Sequence, residues 1–459
     1  MTSYVAPVPI ELPAGSRLTR ARRRARTVAT FGSHLVPVVV RRVVGRPPAS
    51  DQVARRLRRS FEALGSTYVK FGQLVGSSPG AFGPAVADEF RSCLDTGPAV
   101  AFGQVRAAVE RAAGRPLAEV YRSFDETPAA SASIAVVHRA TTTDGREVAV
   151  KVLRPGIAAL VATDLDIMAP LFKRLALRGI PIAGPLYRFL SGFRGQVAEE
   201  LDLTNEARTM AHFRQLFMAA DLDAIVVPEP LPELSDRQVL VMEFLDGVAI
   251  DDLEAIEILG HDPKPLVQEL LRSWFLTGLR DGMFHGDIHA GNLMLLRDGR
   301  IGMIDWGIVG RLDEPTRRLF RRFVEGVLGD ASAWVEISEF MERLLPVPAE
   351  LREGRGPPVD GAEIKEILTR PFGEVDLTDA FKGPRVGENL SKRERRRAIK
   401  RFRKVVIGGG VADSGFGHAN FMLFKQLLYF ERYGKLYLAD TALMGDRDYL
   451  ETVLAESPR

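Results

Sequence analysis

The sequence predicts an α+β fold in two lobes, a strand-rich one followed by a mostly helical one, with a helical extension in front. Three observations lead there. At 459 residues the chain is too long for one small core, so two lobes plus extensions are expected. Strand signals are confined to short stretches. Residues 134–140 and 147–152 flank Thr142-Thr143-Asp144-Gly145, and the apolar runs 293–296 and 301–304 flank Arg297-Asp298-Gly299-Arg300. Both connections carry the Asp-Gly chemistry of a hairpin turn. Helical periodicity covers most of the remainder.

Taken in order, residues 1–50 are basic and punctuated by Pro7, Pro9, Pro13, Pro37, Pro47 and Pro48, which predicts a loosely ordered lead-in. Residues 51–120 read as several helices separated by Gly and Pro breaks. Residues 121–246 hold the first hairpin, a helical stretch from 163 to about 219, and a short buried strand at 239–244. That strand leads into Leu245-Asp246-Gly247, which suits a hinge between lobes. Residues 247–459 form the helical lobe and carry the second hairpin. Segments 346–361 and 408–417 read as loops.

Composition narrows the function classes. The 46% hydrophobic and 26% charged content is that of a globular protein. A single cysteine, Cys93, excludes an intramolecular disulfide and most cysteine-based metal sites, which fits a reducing, cytoplasmic setting. The first fifteen residues lack a secretory pattern, and no window reaches the ~18 uninterrupted apolar residues of a transmembrane helix. Net charge is only +3, yet arginines cluster at 17–26 and 55–59, and a third basic run spans 392–404. Clusters of this kind are solvated helix faces or docking points for anionic surfaces. The first one stands beside the apolar stretch 31–40, the order of a membrane-surface segment, so there a place peripheral to the inner face of a membrane and a solvated helix face stand as equal readings. No nucleic-acid partner is expected.

The chemistry resides in His285-Gly286-Asp287-Ile288-His289-Ala290-Gly291-Asn292 and in Ile304-Asp305-Trp306-Gly307. Asp287 and Asn292 are five positions apart, and Asp287 and Asp305 eighteen, the intervals used by kinase-fold phosphotransferases. Magnesium-dependent phosphoryl transfer needs a carboxylate to orient the attacking hydroxyl and oxygen ligands to hold metal against the phosphates. A loop bearing Asp287 and Asn292, joined by the hairpin to Asp305, supplies those groups. Lys151 ends the valine-rich stretch Val148-Ala149-Val150, where a kinase strand lysine grips nucleotide phosphates and pairs with a helix glutamate. Glu200 and Glu206 compete for that pairing. No Gly-x-Gly-x-x-Gly loop precedes Lys151. In its place Ala130, Ser131, Ala132 and Ser133 are small enough for close backbone approach to phosphate.

The alanine-rich loop, the strand lysine and Lys70-Phe71-Gly72-Gln73 together resemble the UbiB/AarF family of atypical kinase-like proteins, over residues from about 51 to 310. The resemblance implies a two-lobed protein-kinase-like fold with an N-terminal helical extension lying across the cleft. It also implies Mg-ATP bound between the lobes, with Lys151 on the phosphates and held by Glu206. Asn292 and Asp305 would hold Mg2+, Asp287 would orient the acceptor, and the backbone from Glu243 to Leu245 would face the adenine. Lys70 and Gln73 would guard the cleft, with Lys70 paired to Glu200 or Asp202. The implied work is ATP hydrolysis or phosphoryl transfer to a lipid or quinone precursor.

Two positions depart from the family pattern. Val136 stands where the family usually has glutamine, which removes any nucleotide-loop contact made by that side chain. Asp305-Trp306-Gly307 replaces the usual Asp-Phe-Gly, and tryptophan fits the same apolar slot. Three other readings compete. Aminoglycoside and choline phosphotransferases share the His-Gly-Asp and Asp-Trp forms but lack the Lys-x-Gly-Gln extension. A zinc hydrolase built on His285, Asp287 and His289 leaves Lys151, Asn292 and Asp305 without roles. A nucleotide-binding pseudokinase scaffold is opposed by the intact catalytic set.

Overall fold

A computed structural model describes residues 9–13, 16–43, 50–76, 86, 89, 90, 99–177, 183–344, 365, 366, 368–374 and 416–457. The predicted loop at 346–361, nearly all of that at 408–417, the basic run 392–404 and Cys93 lie outside these residues. The chain forms two compact units. The first comprises Met1–Arg214, Val227–Leu245 and Asp305–Gly307; the second comprises Gln215–Val226, Asp246–Ile304 and Ile308–Arg459.

The first unit is built on an antiparallel sheet in which β1 (Tyr121–Phe124), β3 (Ala135–Thr142), β4 (Glu147–Leu153) and β6 (Val239–Glu243) lie in that order. The short β2 (Ala130–Ser131) pairs with β3. The β3–β4 turn closes through Gly145, whose φ of 95° is open to glycine at no steric cost. Alternate residues of β4 point to opposite faces. Val148, Val150 and Val152 join Val136, Val239 and Val241 in a core closed by Val105 and Val109 of the helix Phe102–Ala113. Lys151, in register with Val137 and Leu240, therefore projects from the other face.

The lead-in departs from expectation. Residues Arg17–Val43 form one helix, α1, that runs through Pro37. Packing explains why: Arg23, Thr27 and Phe31 recur at helical spacing and face inward. The Arg23 guanidinium makes bonds of 2.6 and 2.8 Å to Asp164, whose side chain is fully buried, and a third to the Leu64 carbonyl. Two helices follow, α2 (Ser50–Leu64) and α3 (Ser66–Gly76). Phe61 sits 5.1 Å from Phe90, and Phe71 lies 5.1 Å from Phe193 and 6.0 Å from Phe172, ring centre to ring centre. These rings fasten α3, which carries Lys70, onto the helices Ile157–Leu177 and Ala183–Glu200.

The second unit holds a four-stranded sheet, in the order β5 (Ile225–Val226), β10 (Ile301–Met303), β9 (Leu293–Leu296) and β7 (Gly247–Ala249). A separate antiparallel pair joins β8 (Met283–His285) to β11 (Val309–Arg311). The sequence indicated only the β9–β10 hairpin here. Strands of two or three residues are too short to display an alternation. Trp274, on the helix Lys264–Leu276, centres the core, with Phe275, Phe284, Phe320 and Phe430 at 5.2 to 5.5 Å. Phe430 belongs to the helix Phe416–Tyr437, which packs its buried side chains toward the loop after β8.

Candidate active site

In the first unit five charged side chains converge. The Lys151 ammonium lies 2.8 and 2.9 Å from the two carboxylate oxygens of Glu206 and 3.2 Å from Asp305. Of the two glutamates that competed for Lys151, the helix Leu203–Ala219 presents Glu206. Glu200 instead pairs with Lys70 at 2.6 Å and accepts a bond from Gln196. Asp202 stays apart from Lys70. It accepts from the Thr204 amide and hydroxyl, capping the helix that bears Glu206, and lies 3.3 Å from Arg237. Gln73 is half-buried one turn beyond Lys70.

The electrostatics follow from burial. Desolvation works against the Lys151 ammonium, yet the Asp305 and Glu206 carboxylates outweigh it and raise its pKa. Burial likewise opposes charge on Asp305, but the ammonium groups of Lys151 and Lys70, with the Gly307 amide, hold its carboxyl below the usual range. Burial pushes Glu200 and Glu206 up, against the pull of their lysines. Asp305 takes the left-handed backbone, with φ of 62°, a conformation uncommon outside glycine. Its side chain remains 44% exposed while the Glu206 side chain is 4% exposed. Asp305 is thus held ionised, with its side chain partly exposed. Trp306 fills the apolar slot, 4.6 Å from Phe213 and 1% exposed, and its amide donates to Glu206.

The alanine-rich loop is held by a residue that sequence reading overlooked. Arg154, buried just past Lys151, donates to the Ala132 carbonyl at 2.8 and 3.0 Å and to the Ser131 hydroxyl at 2.9 Å. Ala130 and Ser131 are exposed and Ser133 is buried. A lysine-rich or arginine-rich strand end is common on surfaces, so the signal was weak. Val136 points into the valine core on the face opposite Lys151, and its backbone pairs with Ser131 of the loop. Farther along, the Glu243 amide donates to Glu229 and that of Phe244 to Glu147. Leu245 follows them, 8% exposed, at the end of the first unit.

In the second unit the loop after β8 carries Asp287 and Asn292. Gly286 has no room for a side chain, since a Cβ would meet Ile308 at 2.9 Å, and its amide bonds the Ile308 carbonyl. The Asp287 amide donates to His285 Nδ1, and Asn292 Nδ2 donates to the Asp287 carbonyl at 2.9 Å. That bond takes up the Asn292 amide nitrogen and leaves Oδ1 as the group suited to a hard cation. His289 turns Nδ1 to the Gly291 amide and lies 4.0 Å from Asp287 through Nε2. Both histidines are therefore committed to the backbone, against the zinc-hydrolase reading. Among the described residues no group of three or more His, Cys, Asp or Glu could hold a metal alone. Magnesium bound with nucleotide needs no such cage, because it takes one or two protein oxygens together with substrate phosphates. Asp305 and Asn292 fit that requirement chemically.

Gln426 and Tyr433, from the helix Phe416–Tyr437, also reach this loop and were missed from sequence. Gln426 is fully buried, donates to the Gly286 carbonyl and accepts from the Ile288 amide. Tyr433 donates to the Ile288 carbonyl at 2.7 Å, and burial pushes its hydroxyl up, which keeps it a donor. A glutamine in an otherwise apolar stripe was the available signal.

Comparison with known proteins identifies the family. A family model described as the ABC1 atypical kinase-like domain matches residues 92–338. An uncharacterized protein of Mycobacterium tuberculosis is 35% identical over 429 residues, covering 92% of this chain and 83% of its own. An uncharacterized aarF domain-containing protein kinase of Arabidopsis thaliana, described as chloroplastic, is 33% identical over 414 residues, covering 85% and 73%. A probable protein kinase UbiB of Aeromonas hydrophila is 35% identical over 271 residues, covering 57% of this chain and 49% of that one.

Proposed function

This chain belongs to the ABC1 atypical kinase-like family, with the kinase-like fold of mixed helix and sheet that goes with it, and on that premise we propose that it transfers the terminal phosphoryl group of Mg-ATP to water or a lipid-related hydroxyl. The observation that carries the reading is the buried Lys151–Glu206 pair with Asp305 at 3.2 Å, the arrangement that kinase-type phosphoryl transfer requires. Lys151 would bind the phosphates, and the Ala130–Ser131 backbone, held by Arg154, would lie along them. The backbone near Glu243 and Leu245 would receive the adenine. Asp305 and Asn292 would hold magnesium, which when bound neutralises charge on the phosphates. Asp287 would orient the acceptor and take its proton.

Lys70 and Gln73 would restrict access and favour hydrolysis over protein phosphorylation. Support comes from the Lys70–Glu200 ion pair, which places the Lys70 charge within electrostatic reach of Asp305. Lys70→Ala should change ATP affinity by about tenfold, on the order of 1.4 kcal/mol. A nucleotide titration and an autophosphorylation assay read this, and no change in either would remove the regulatory role.

A membrane-surface location is supported by α1. At ~100° per residue, Leu18, Val28, Val36 and Val40 share an arc of about 120° on the side opposite Arg23, Thr27 and Phe31. All four are more than half exposed, and the exposed Arg17, Arg22 and Arg26 flank them. No helix among the described residues is long and apolar enough to cross a membrane. A face of this kind lies in the headgroup plane of an anionic bilayer. The deciding experiment measures phosphate release with and without anionic vesicles and isoprenoid phenol analogues. Stimulation by vesicles or phenols is expected, whereas stimulation only by polar amino or hydroxy compounds would favour a small-molecule kinase.

A further inference from the structure

Gly286, Asp287 and Ile288 have all six of their backbone polar groups engaged, five of them by side chains. The Gly286 amide bonds the Ile308 carbonyl, the Asp287 amide bonds His285, and the Asp287 carbonyl accepts from Asn292. The remaining three go to one helix, Phe416–Tyr437. Gln426 Nε2 donates to the Gly286 carbonyl at 2.6 Å, Gln426 Oε1 accepts from the Ile288 amide at 3.1 Å, and Tyr433 donates to the Ile288 carbonyl.

The two peptide groups that flank the Asp287 Cα are the one carrying the Gly286 carbonyl and the one carrying the Ile288 amide. Gln426 bonds both. Fixing two successive peptide planes fixes φ and ψ between them, and with those the direction of the Asp287 Cα–Cβ bond. A side-chain amide donates to one plane and accepts from the other; an ionised carboxylate repels the carbonyl, and an apolar side chain leaves both groups unpaired. Gln426 is 0% exposed, so no water can replace it without repacking the helix.

We propose that Gln426 is the positioning residue for Asp287, setting the aim of its carboxylate through the backbone, with Tyr433 holding the next peptide. This rests on the phosphotransferase reading, in which Asp287 orients the acceptor. Misplacing a reacting group by about 1 Å can cost on the order of 100-fold in rate. Gln426→Glu and Gln426→Met, on the full-length protein, should each lower kcat for ATP turnover by about 10- to 100-fold. ATP Kd and binding stoichiometry should stay at wild-type values, because neither side chain belongs to the nucleotide-binding set. Adding Tyr433→Phe to Gln426→Met should cost less than the product of the single effects, since both hold one loop.

Asp287→Asn run in parallel separates the two possible failures. Turnover unaffected by Asp287→Asn would remove the phosphotransferase reading itself. Turnover abolished by Asp287→Asn but normal in a folded Gln426→Met protein would overturn the positioning role alone. A matched fall in kcat and in binding stoichiometry would also overturn it, as the mark of partial unfolding. Gln426→Met carries the test if the charged variant fails to fold.

Discussion

Asp287→Asn should retain ATP binding and lose about 10²- to 10⁴-fold in turnover, the usual contribution of a positioned general base. The substitution keeps size and shape, and the backbone on both sides of Asp287 is tied down independently of its side chain. What disappears is the charge that, in the proposed mechanism, would take the acceptor's proton. Phosphate release in steady state, set beside nucleotide titration, reads both quantities. Turnover at the wild-type level would take Asp287 out of the chemistry.

The second large effect is on stability. Lys151→Met places an apolar side chain of similar length against Glu206, which is buried, and leaves two neighbouring carboxylates without their common cation. Breaking a buried pair by removing one partner costs about 3–5 kcal/mol. Part of that is relieved at Asp305, whose side chain is nearly half exposed and can draw on water. The sign with pH is specific. In the native protein Asp305 is held below the usual carboxylate range, so its stabilising contribution is present above the ordinary carboxylate pKa and fades only in strong acid. Without Lys151, Glu206, already raised by burial, loses the cation that opposes that rise, while Asp305 keeps Lys70 and the Gly307 amide. A raised carboxyl stabilises below its unfolded pKa and loses that contribution as pH rises through the folded value. The variant should therefore melt at higher temperature near pH 5 than near pH 8. Glu206→Gln in the same chain should recover part of the loss. A variant as stable as wild type at every pH would show that the three groups do not share charge.

Features set by spacing along the chain were legible from sequence. The intervals between Asp287, Asn292 and Asp305 stand out because a short loop and a hairpin fix them, and Thr142-Thr143-Asp144-Gly145 because a turn is local chemistry. Roles that depend on long-range packing were not. Nothing in residues 199–207 distinguishes Glu200 from Glu206 until one faces α3 and the other faces β4. Arg23 sits among five other arginines and differs from them only because Asp164, 141 residues away, is buried beside it. Pro37 and its neighbours suggested a loose lead-in, while aromatic packing against Phe61 and Tyr68 holds a helix there. Gln426 lies 138 residues from Ile288.

Gly286 bears on how motifs in such chains are interpreted. Its amide and its missing side chain serve the fit of β8 against β11, whatever the loop does next. A descendant that had stopped handling phosphate would face undiminished selection to keep that glycine and the buried amide of Gln426, while Asp287 drifted. A surviving His-Gly pair would then be an architectural fossil, and only the aspartate beside it would testify to living chemistry.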